Sequence, residues 1–176
     1  MQIYYLKQSS ENAIENKIFI ENKMFMEIRG TERMKNITKE EMNIKEFFEK
    51  YPNVAIALSG GVDSVFLVYM AKKYAKSVKA YFVKSVFQPE FEKKDAEKIC
   101  RQLGVDLKIL NVDVLSNKLV TDNPVNRCYY CKQGVFGTIL EAAKNDGMTV
   151  ILDGTNASDD ADDRPGMKAL QEMKVL

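Results

Sequence analysis

The sequence predicts an α/β fold, a doubly wound parallel sheet with helices on both faces. Three observations carry that prediction. Short apolar runs of strand length (Val54 to Leu58, Val78 to Val83, Val105 to Val112, Met148 to Leu152) alternate with longer stretches of helical spacing. The first of these runs is continuous rather than alternating in polarity, the mark of a strand covered on both faces. Gly and Pro punctuate the helix ends, and strands separated by helices imply parallel pairing with right-handed crossovers.

Taken in order, residues 1 to 33 are rich in Asn, Glu, Lys, Ile and Met, with no clear turn signal before Gly30. They are expected to be an N-terminal extension: a short strand, an irregular helix, or a segment outside the folded domain. Met34 opens MKNITKEEMNIKEFFEKYPNVAIALSGG, a natural start for a domain spanning residues 34 to 176. Thr38 with Glu41 forms a capping-box pattern, and Met42, Phe47 and Phe48 supply an apolar stripe, so a helix is expected from Thr38 until Pro52 stops it. After the Val54 to Leu58 strand, Val65, Phe66, Val68, Tyr69 and Ala71 recur with helical spacing. Val78 to Val83 is a second strand. PEFEKKDAEKICRQLG is a helix with Pro89 near its start and Gly104 just past its end. Val105 to Val112 is a third strand. LSNKLVTDNPVNRCYYCK reads as a loop, followed by a helix from about Lys132 to Asn145. Met148 to Leu152 is the next strand, then the polar turn DGTNASDDADDRPG and a short helix to Leu176. No internal repeat or low-complexity segment interrupts the pattern.

Composition narrows the function classes. The chain of 176 residues is one domain by length, and 45 % hydrophobic residues suffice for a core. Lys+Arg 26 against Asp+Glu 25 leaves a net charge of +1, which argues against a general electrostatic grip on DNA or membranes and disfavours RNA. No apolar stretch approaches the roughly 18 to 20 residues of a spanning helix, and Glu11, Glu15 and Glu21 interrupt any signal-peptide core. Cys100, Cys128 and Cys131 do not suit a secreted disulfide scaffold, so a cytoplasmic location is expected. With no histidine present, Ser-His-Asp hydrolysis, Cys-His acyl transfer and imidazole-ligated zinc are excluded within this chain.

The chemistry concentrates in Ser59-Gly60-Gly61-Val62-Asp63-Ser64, at the carboxyl end of the first predicted strand, where open parallel sheets bind ligands. Gly60 and Gly61 remove side-chain bulk and allow positive φ, so successive backbone N–H groups can converge on one anion. The helix that follows adds its positive end. Ser59 and Ser64 can donate hydroxyl hydrogen bonds. Asp63 would repel a bare phosphate, which makes sense if it holds Mg²⁺ bound to that phosphate. No Lys-[Ser/Thr] follows the turn, so it is not a Walker A loop, and the G-x-G-x-x-G pattern is absent. The structural alternative is a tight strand-to-helix turn with Ser64 helping to cap the helix.

This hexapeptide resembles the PP-loop of ATP pyrophosphatases of the adenine nucleotide α-hydrolase superfamily, which cleave ATP between the α and β phosphates and adenylate a substrate. Two further segments, NPVNRCYYCK (Asn123 to Lys132) and DGTNASDDADDRPGMKALQEMKV (Asp153 to Val175), resemble those of LarE-type sacrificial sulfur transferases. The resemblance runs from about Ile44 to the end, with the three motifs in order. It implies a Rossmann-like fold and the cofactors ATP and Mg²⁺. It also implies a small carboxylate-bearing substrate, pyridinium-3,5-biscarboxylic acid mononucleotide, on the route to a nickel-pincer cofactor. In that family an enzyme thiolate attacks the adenylated carboxylate and its sulfur is left on the product.

Carried over residue by residue, Ser59, Gly60, Gly61, Val62, Asp63 and Ser64 hold the ATP phosphates, with Asp63 on the metal and Asp63 and Ser64 catalytic. Ser85, Asp153, Gly154, Thr155 and Asn156 help close the nucleotide site; the last four could equally be an Asp-Gly turn with a cap. Arg127, Cys128, Cys131, Lys132 and Arg164 are the candidate substrate contacts. Arg164 either pairs with a phosphate or carboxylate or ties down the acidic run from Asp159 to Asp163. Two departures stand out. Lys84 sits where the family commonly carries an aspartate, altering metal or adenine binding. The family's sulfur-donating cysteine lies beyond the segment aligned with Arg164 to Val175, and neither Cys128 nor Cys131 occupies its position.

The Cys128-x-x-Cys131 pair itself, read as lying on a loop entering a helix, has three readings. It is structural, or redox or sulfur-handling with its thiols activated by the helix N-terminus, Arg127 and Lys132, or a metal site: half a zinc set alone, or three ligands of a [4Fe–4S] cluster with Cys100, although Cys100 is expected in a helix facing the core. Alternatives to the adenylating enzyme are a non-catalytic nucleotide-binding remnant and another PP-loop enzyme, such as a tRNA thiolase or amide-forming synthetase. A homo-oligomer is compatible with all of these readings.

Overall fold

The computed structural model describes residues 2–5, 7–8, 17–22 and 38–154, apart from 126 and 149, with side chains from residue 44 onward. The expected polar turn beyond Gly154, the last helix, Thr155, Asn156 and Arg164 lie outside the described residues.

Among the described residues, eight strands form two sheets. A small antiparallel sheet, in order β2-β3-β4, contains β2 (Lys7–Gln8), β3 (Lys17–Asn22) and β4 (Thr38–Asn43). The main sheet has the order β1-β8-β5-β6-β7, comprising β1 (Gln2–Tyr5), β5 (Asn53–Ala57), β6 (Ser77–Lys84), β7 (Asp106–Asn111) and β8 (Val150–Asp153). Every pairing in it is parallel. The residues read as an upstream extension thus include a strand, β1, that pairs with β8 from Gln2 opposite Val150 to Tyr5 opposite Asp153.

The helices among the described residues are α1 (Ile44–Lys50), α2 (Val62–Tyr74), α3 (Glu90–Leu103), α4 (Lys118–Thr121) and α5 (Arg127–Asn145), with a 3₁₀ turn at Val114–Ser116. Three stretches correct the sequence expectation. The expected loop from Leu115 to Lys132 contains α4, which starts where the Asn117 side chain accepts the Leu119 N–H at 3.0 Å. Thr38 to Asn43 is strand rather than helix: its backbone pairs with β3, Thr38 opposite Asn22, and this ladder outweighs the local capping pattern. The helix expected from about Lys132 starts at Arg127, whose N–H donates to the Pro124 carbonyl at 2.9 Å and closes the entering turn.

The apolar runs are sorted by their period of two. Val54, Ile56, Ala80, Phe82, Val150 and Leu152 join one core with Phe47 and Phe48 of α1, Leu67 and Val68 of α2, and Ala96 and Cys100 of α3. Ala55, Ala57, Tyr81, Val83 and Ile151 join the other with Phe136, Ile139 and Ala143 of α5. Phe47 and Phe48 are fully buried, and truncating either to alanine costs about 3–5 kcal/mol. With helices on both faces, the strand ends are left as the place for chemistry. Chain order runs β5, β6, β7 in one direction and then returns to β8 on the other side of β5. The switch point therefore falls between the carboxyl ends of β5 and β8, where ligands bind in open parallel sheets.

Candidate functional site

The glycine turn occupies that switch point. Ala57 and Asp153 are register partners at the ends of β5 and β8, so Ser59 to Ser64 and Asp153-Gly154 emerge side by side. Gly60 holds φ at +87°, a left-handed value that a Cβ would strain by about 1–2 kcal/mol. Gly61 is the N-cap of α2, and no side chain caps it. The first bond of α2 runs from Val65 N–H to the Gly61 carbonyl at 3.1 Å, so the N–H groups of Val62, Asp63 and Ser64 precede the helix's own ladder. Ser59, Gly60, Gly61 and Val62 are exposed, and Asp63 is half-buried. The result is an uncapped helix start beneath a two-glycine turn, an arrangement whose N–H donors can receive an anion.

The two serines behave differently. Ser64 is buried, its hydroxyl donates to the Gly61 carbonyl at 2.9 Å, and its oxygen accepts the Ser59 N–H at 3.3 Å. It staples the loop and does not cap the helix. The Ser59 hydroxyl lies 3.1 Å from that of Ser64 and accepts the Gly61 N–H at 3.4 Å. Gly154 explains why the neighbouring turn needs a glycine. A Cβ there would stand 2.6 Å from the Ser64 nitrogen, 2.9 Å from its Cα and 3.1 Å from the Asp63 carbonyl carbon. The end of β8 is packed directly onto the first turn of α2.

The turn after β6 is built by Gln88, which the sequence reading did not single out. Its Oε1 accepts from the Ser85 hydroxyl at 2.6 Å and from the Ser85 N–H at 3.1 Å, while the Ser85 oxygen accepts the Phe87 N–H at 3.2 Å. Ser85 is buried in this knot. Lys84 donates to the Gln88 carbonyl and lies 3.6 Å from Glu90, so the charge reversal expected to face the nucleotide is compensated within its own turn. That half-exposed pair is worth at most about 1 kcal/mol.

Arg127 joins this edge from the other face. Its guanidinium sits 5.4 Å from the Phe87 ring centroid, and Nη1 donates to Asn123 at 3.3 Å. Cys128 and Cys131 lie on the opening turns of α5 rather than on a loop; Cys128 is exposed and Cys131 is half-buried, as is Lys132. Burial pushes the Cys131 thiol up, a thiolate at Cys128 adds to this, and Arg127 offsets it only in part, so the activation invoked by the redox reading is not present at that thiol. The metal reading gains no third ligand from Cys100. Cys100 is buried in the core on the α3 side of the sheet, whereas Cys128 and Cys131 lie on α5, on the opposite side. Among the described residues no group of three His, Cys, Asp or Glu side chains is placed to hold a metal ion.

A second polar cluster had no sequence signal. Asp146, just past α5, accepts from the Tyr81 hydroxyl at 2.8 Å and from Lys108 at 3.0 Å, and pairs with Lys79 at 3.1 Å. The Tyr81 hydrogen bond, then Lys108 and Lys79, hold its carboxyl down at about 2. Burial and the same carboxylate push the Tyr81 phenol up. The cluster ties the end of α5 to β6 and β7, away from the glycine turn. No helix among the described residues is long and apolar enough to cross a membrane.

Comparison with known proteins agrees with this geometry. The family model for the PP-loop domain matches residues 31–163. An uncharacterised protein of Synechocystis sp. is 33 % identical over 132 residues, covering 74 % of this chain and 49 % of its own. Pyridinium-3,5-bisthiocarboxylic acid mononucleotide synthase of Lactiplantibacillus plantarum is 31 % identical over 121 residues, covering 68 % and 44 %. The chain thus spans about half the length of these curated relatives. In fold, the NH3-dependent NAD synthetase of Campylobacter jejuni superposes with a TM-score of 0.53 at 14 % identity, over 75 % of this chain and 69 % of that one. With the loop at the switch point and the family model spanning it, this chain belongs to the PP-loop domain family.

Proposed function

We propose that the chain binds ATP with its β and γ phosphates in the Ser59–Ser64 cradle and adenylates a carboxylate, releasing pyrophosphate. A carboxylate oxygen attacks the α phosphorus, the bond from that phosphorus to the α–β bridging oxygen breaks, and pyrophosphate leaves. One observation carries the reading: the uncapped start of α2, whose first ladder bond is Val65 to Gly61, presents its N–H groups at the switch point. Those donors stabilise the charge that develops on the departing pyrophosphate, and they are set in place before the reaction.

Ser64 holds the loop in shape, and Gly154 holds β8 against it; the adjacent Asp153, Thr155 and Asn156 extend the site in this proposal, and Ser85 bounds it on the β6 side. Asp63, half-exposed in the first turn, has the hard oxygen donor that would hold Mg²⁺, and the ion would neutralise phosphate charge. The carboxylate acceptor is supported by the name of the Lactiplantibacillus relative and by the NPVNRCYYCK segment, with Arg127, Cys128, Cys131, Lys132 and Arg164 as its candidate contacts.

The test is pyrophosphate release from ATP and Mg²⁺ with and without pyridinium-3,5-biscarboxylic acid mononucleotide. Release that depends on the dicarboxylate supports the proposal. ATP binding without release identifies a non-catalytic nucleotide-binding module, and release that depends on tRNA instead identifies a thiolase-type acceptor.

A further inference from the structure

The proposed adenylation uses no thiol redox chemistry, yet two cysteines share the opening turns of α5. We propose that Cys128 and Cys131 form a reversible intramolecular disulfide, so that this helix start is a thiol–disulfide exchange site for low-molecular-weight disulfides and thiols.

The geometry supports it in three ways. Residues three apart on a helix have Cα atoms about 5 Å apart, inside the roughly 4.4–6.8 Å that a disulfide spans. Their Cβ atoms, about 5–6 Å apart on a regular helix, must close by about 1–2 Å, as happens when a turn tightens toward 3₁₀ form and positions i and i+3 eclipse. Such tightening is least costly near a helix start, where the leading N–H groups precede the helix ladder. Here the entry is already tight: Arg127 N–H bonds to the Pro124 carbonyl, three residues back, at 2.9 Å. Access divides the roles. Cys128 is exposed and meets the oxidant, and Cys131, half-buried beside it, resolves the intermediate. Cys100, 1 % exposed on the other side of the sheet, is out of reach and serves as an internal control.

In the first step the Cys128 thiolate attacks one sulfur of a small disulfide such as oxidised glutathione. A mixed disulfide forms and one small thiolate leaves. The Cys131 thiolate then attacks the Cys128 sulfur and expels the second. The two electrons pass from the protein dithiol to the small disulfide, and the two protons go to the departing thiolates or to solvent.

Arg127 and Lys132 flank the pair, so trypsin releases both cysteines in one peptide, CYYCK. The full chain is incubated with oxidised glutathione, quenched with acid, digested, and analysed by mass. The expected result is a CYYCK peptide lighter by two hydrogens, restored by dithiothreitol, with the Cys100 peptide unmodified. Cys131→Ser is expected to stop at one glutathione on Cys128, and Cys128→Ser to react at least about tenfold more slowly. Wild-type protein that stops at the mixed disulfide, remains fully reduced, or closes the bond only in urea would overturn the proposal.

Discussion

Gly154→Ala is the most incisive perturbation of the site, because the structure fixes both its target and its size. The added Cβ would stand 2.6 Å from the Ser64 nitrogen and 2.9 Å from its Cα, and both are backbone atoms that no rotamer change can move aside. Restoring ordinary contact at 3.4 Å requires the start of α2 and the end of β8 to separate by about 0.8 Å. Overpacking of this kind costs about 1–3 kcal/mol. The displacement also moves the N–H groups of Val62, Asp63 and Ser64, and a misplacement near 1 Å costs about a hundredfold in a catalytic step. Urea unfolding should therefore show a loss of about 1–3 kcal/mol, and calorimetric titration a loss of ATP affinity of about tenfold or more. Gly134→Ala is the control: an added Cβ there meets nothing within 4 Å, and it lies inside α5, so alanine should stabilise by about 0.5–1 kcal/mol with ATP affinity unchanged. Gly154→Ala protein with wild-type stability and wild-type ATP affinity would refute the claim that β8 positions the loop.

Two other perturbations separate loop construction from scaffold stability. Ser64→Ala removes the donor to the Gly61 carbonyl and the acceptor of the Ser59 N–H, so unfolding should show a loss of about 0.5–1.5 kcal/mol and ATP titration a weaker fit; equal values for the two proteins would count against the staple. For Asp146 the folded carboxyl is held at about 2, below its ordinary 3.8, so its contribution is complete above that ordinary value and is lost as pH falls through the folded one. Unfolding curves between pH 6 and pH 2 should show that loss in the wild type and not in Asp146→Asn, which should be less stable at neutral pH; parallel curves would contradict it.

What the sequence revealed, and what it hid, follows from the range of each interaction. Ser59 to Ser64 was legible because a glycine turn between an apolar run and a helix is a local signal, and its placement at the switch point follows from the order of strands and helices. The reason for Gly154 was not legible: its contact with Ser64 joins residues far apart in the chain and exists only once β8 lies beside β5. Asp146 is a similar case, since its partners Tyr81, Lys79 and Lys108 come from two strands and carry no shared spacing. Thr38 and Glu41 misled for the opposite reason. Their capping pattern is local, and pairing with β3 overrode it. The loop reading of LSNKLVTDNPVNRCYYCK held at Asn123 to Val125 and failed on either side, at α4 and from Arg127, because Asn and Pro suggest a break whereas the Pro124 carbonyl receives the Arg127 N–H and launches α5.

The central claim is that the start of α2 is a pyrophosphate cradle. Calorimetric titration with inorganic pyrophosphate, ATP and adenosine, each with Mg²⁺, tests it most directly. Pyrophosphate and ATP affinities should lie within about tenfold of one another, adenosine should be weaker by about a hundredfold or more, and Gly60→Ala, where φ is +87°, should lose both phosphate affinities. Adenosine binding as tightly as ATP, with Gly60→Ala unchanged, would contradict it.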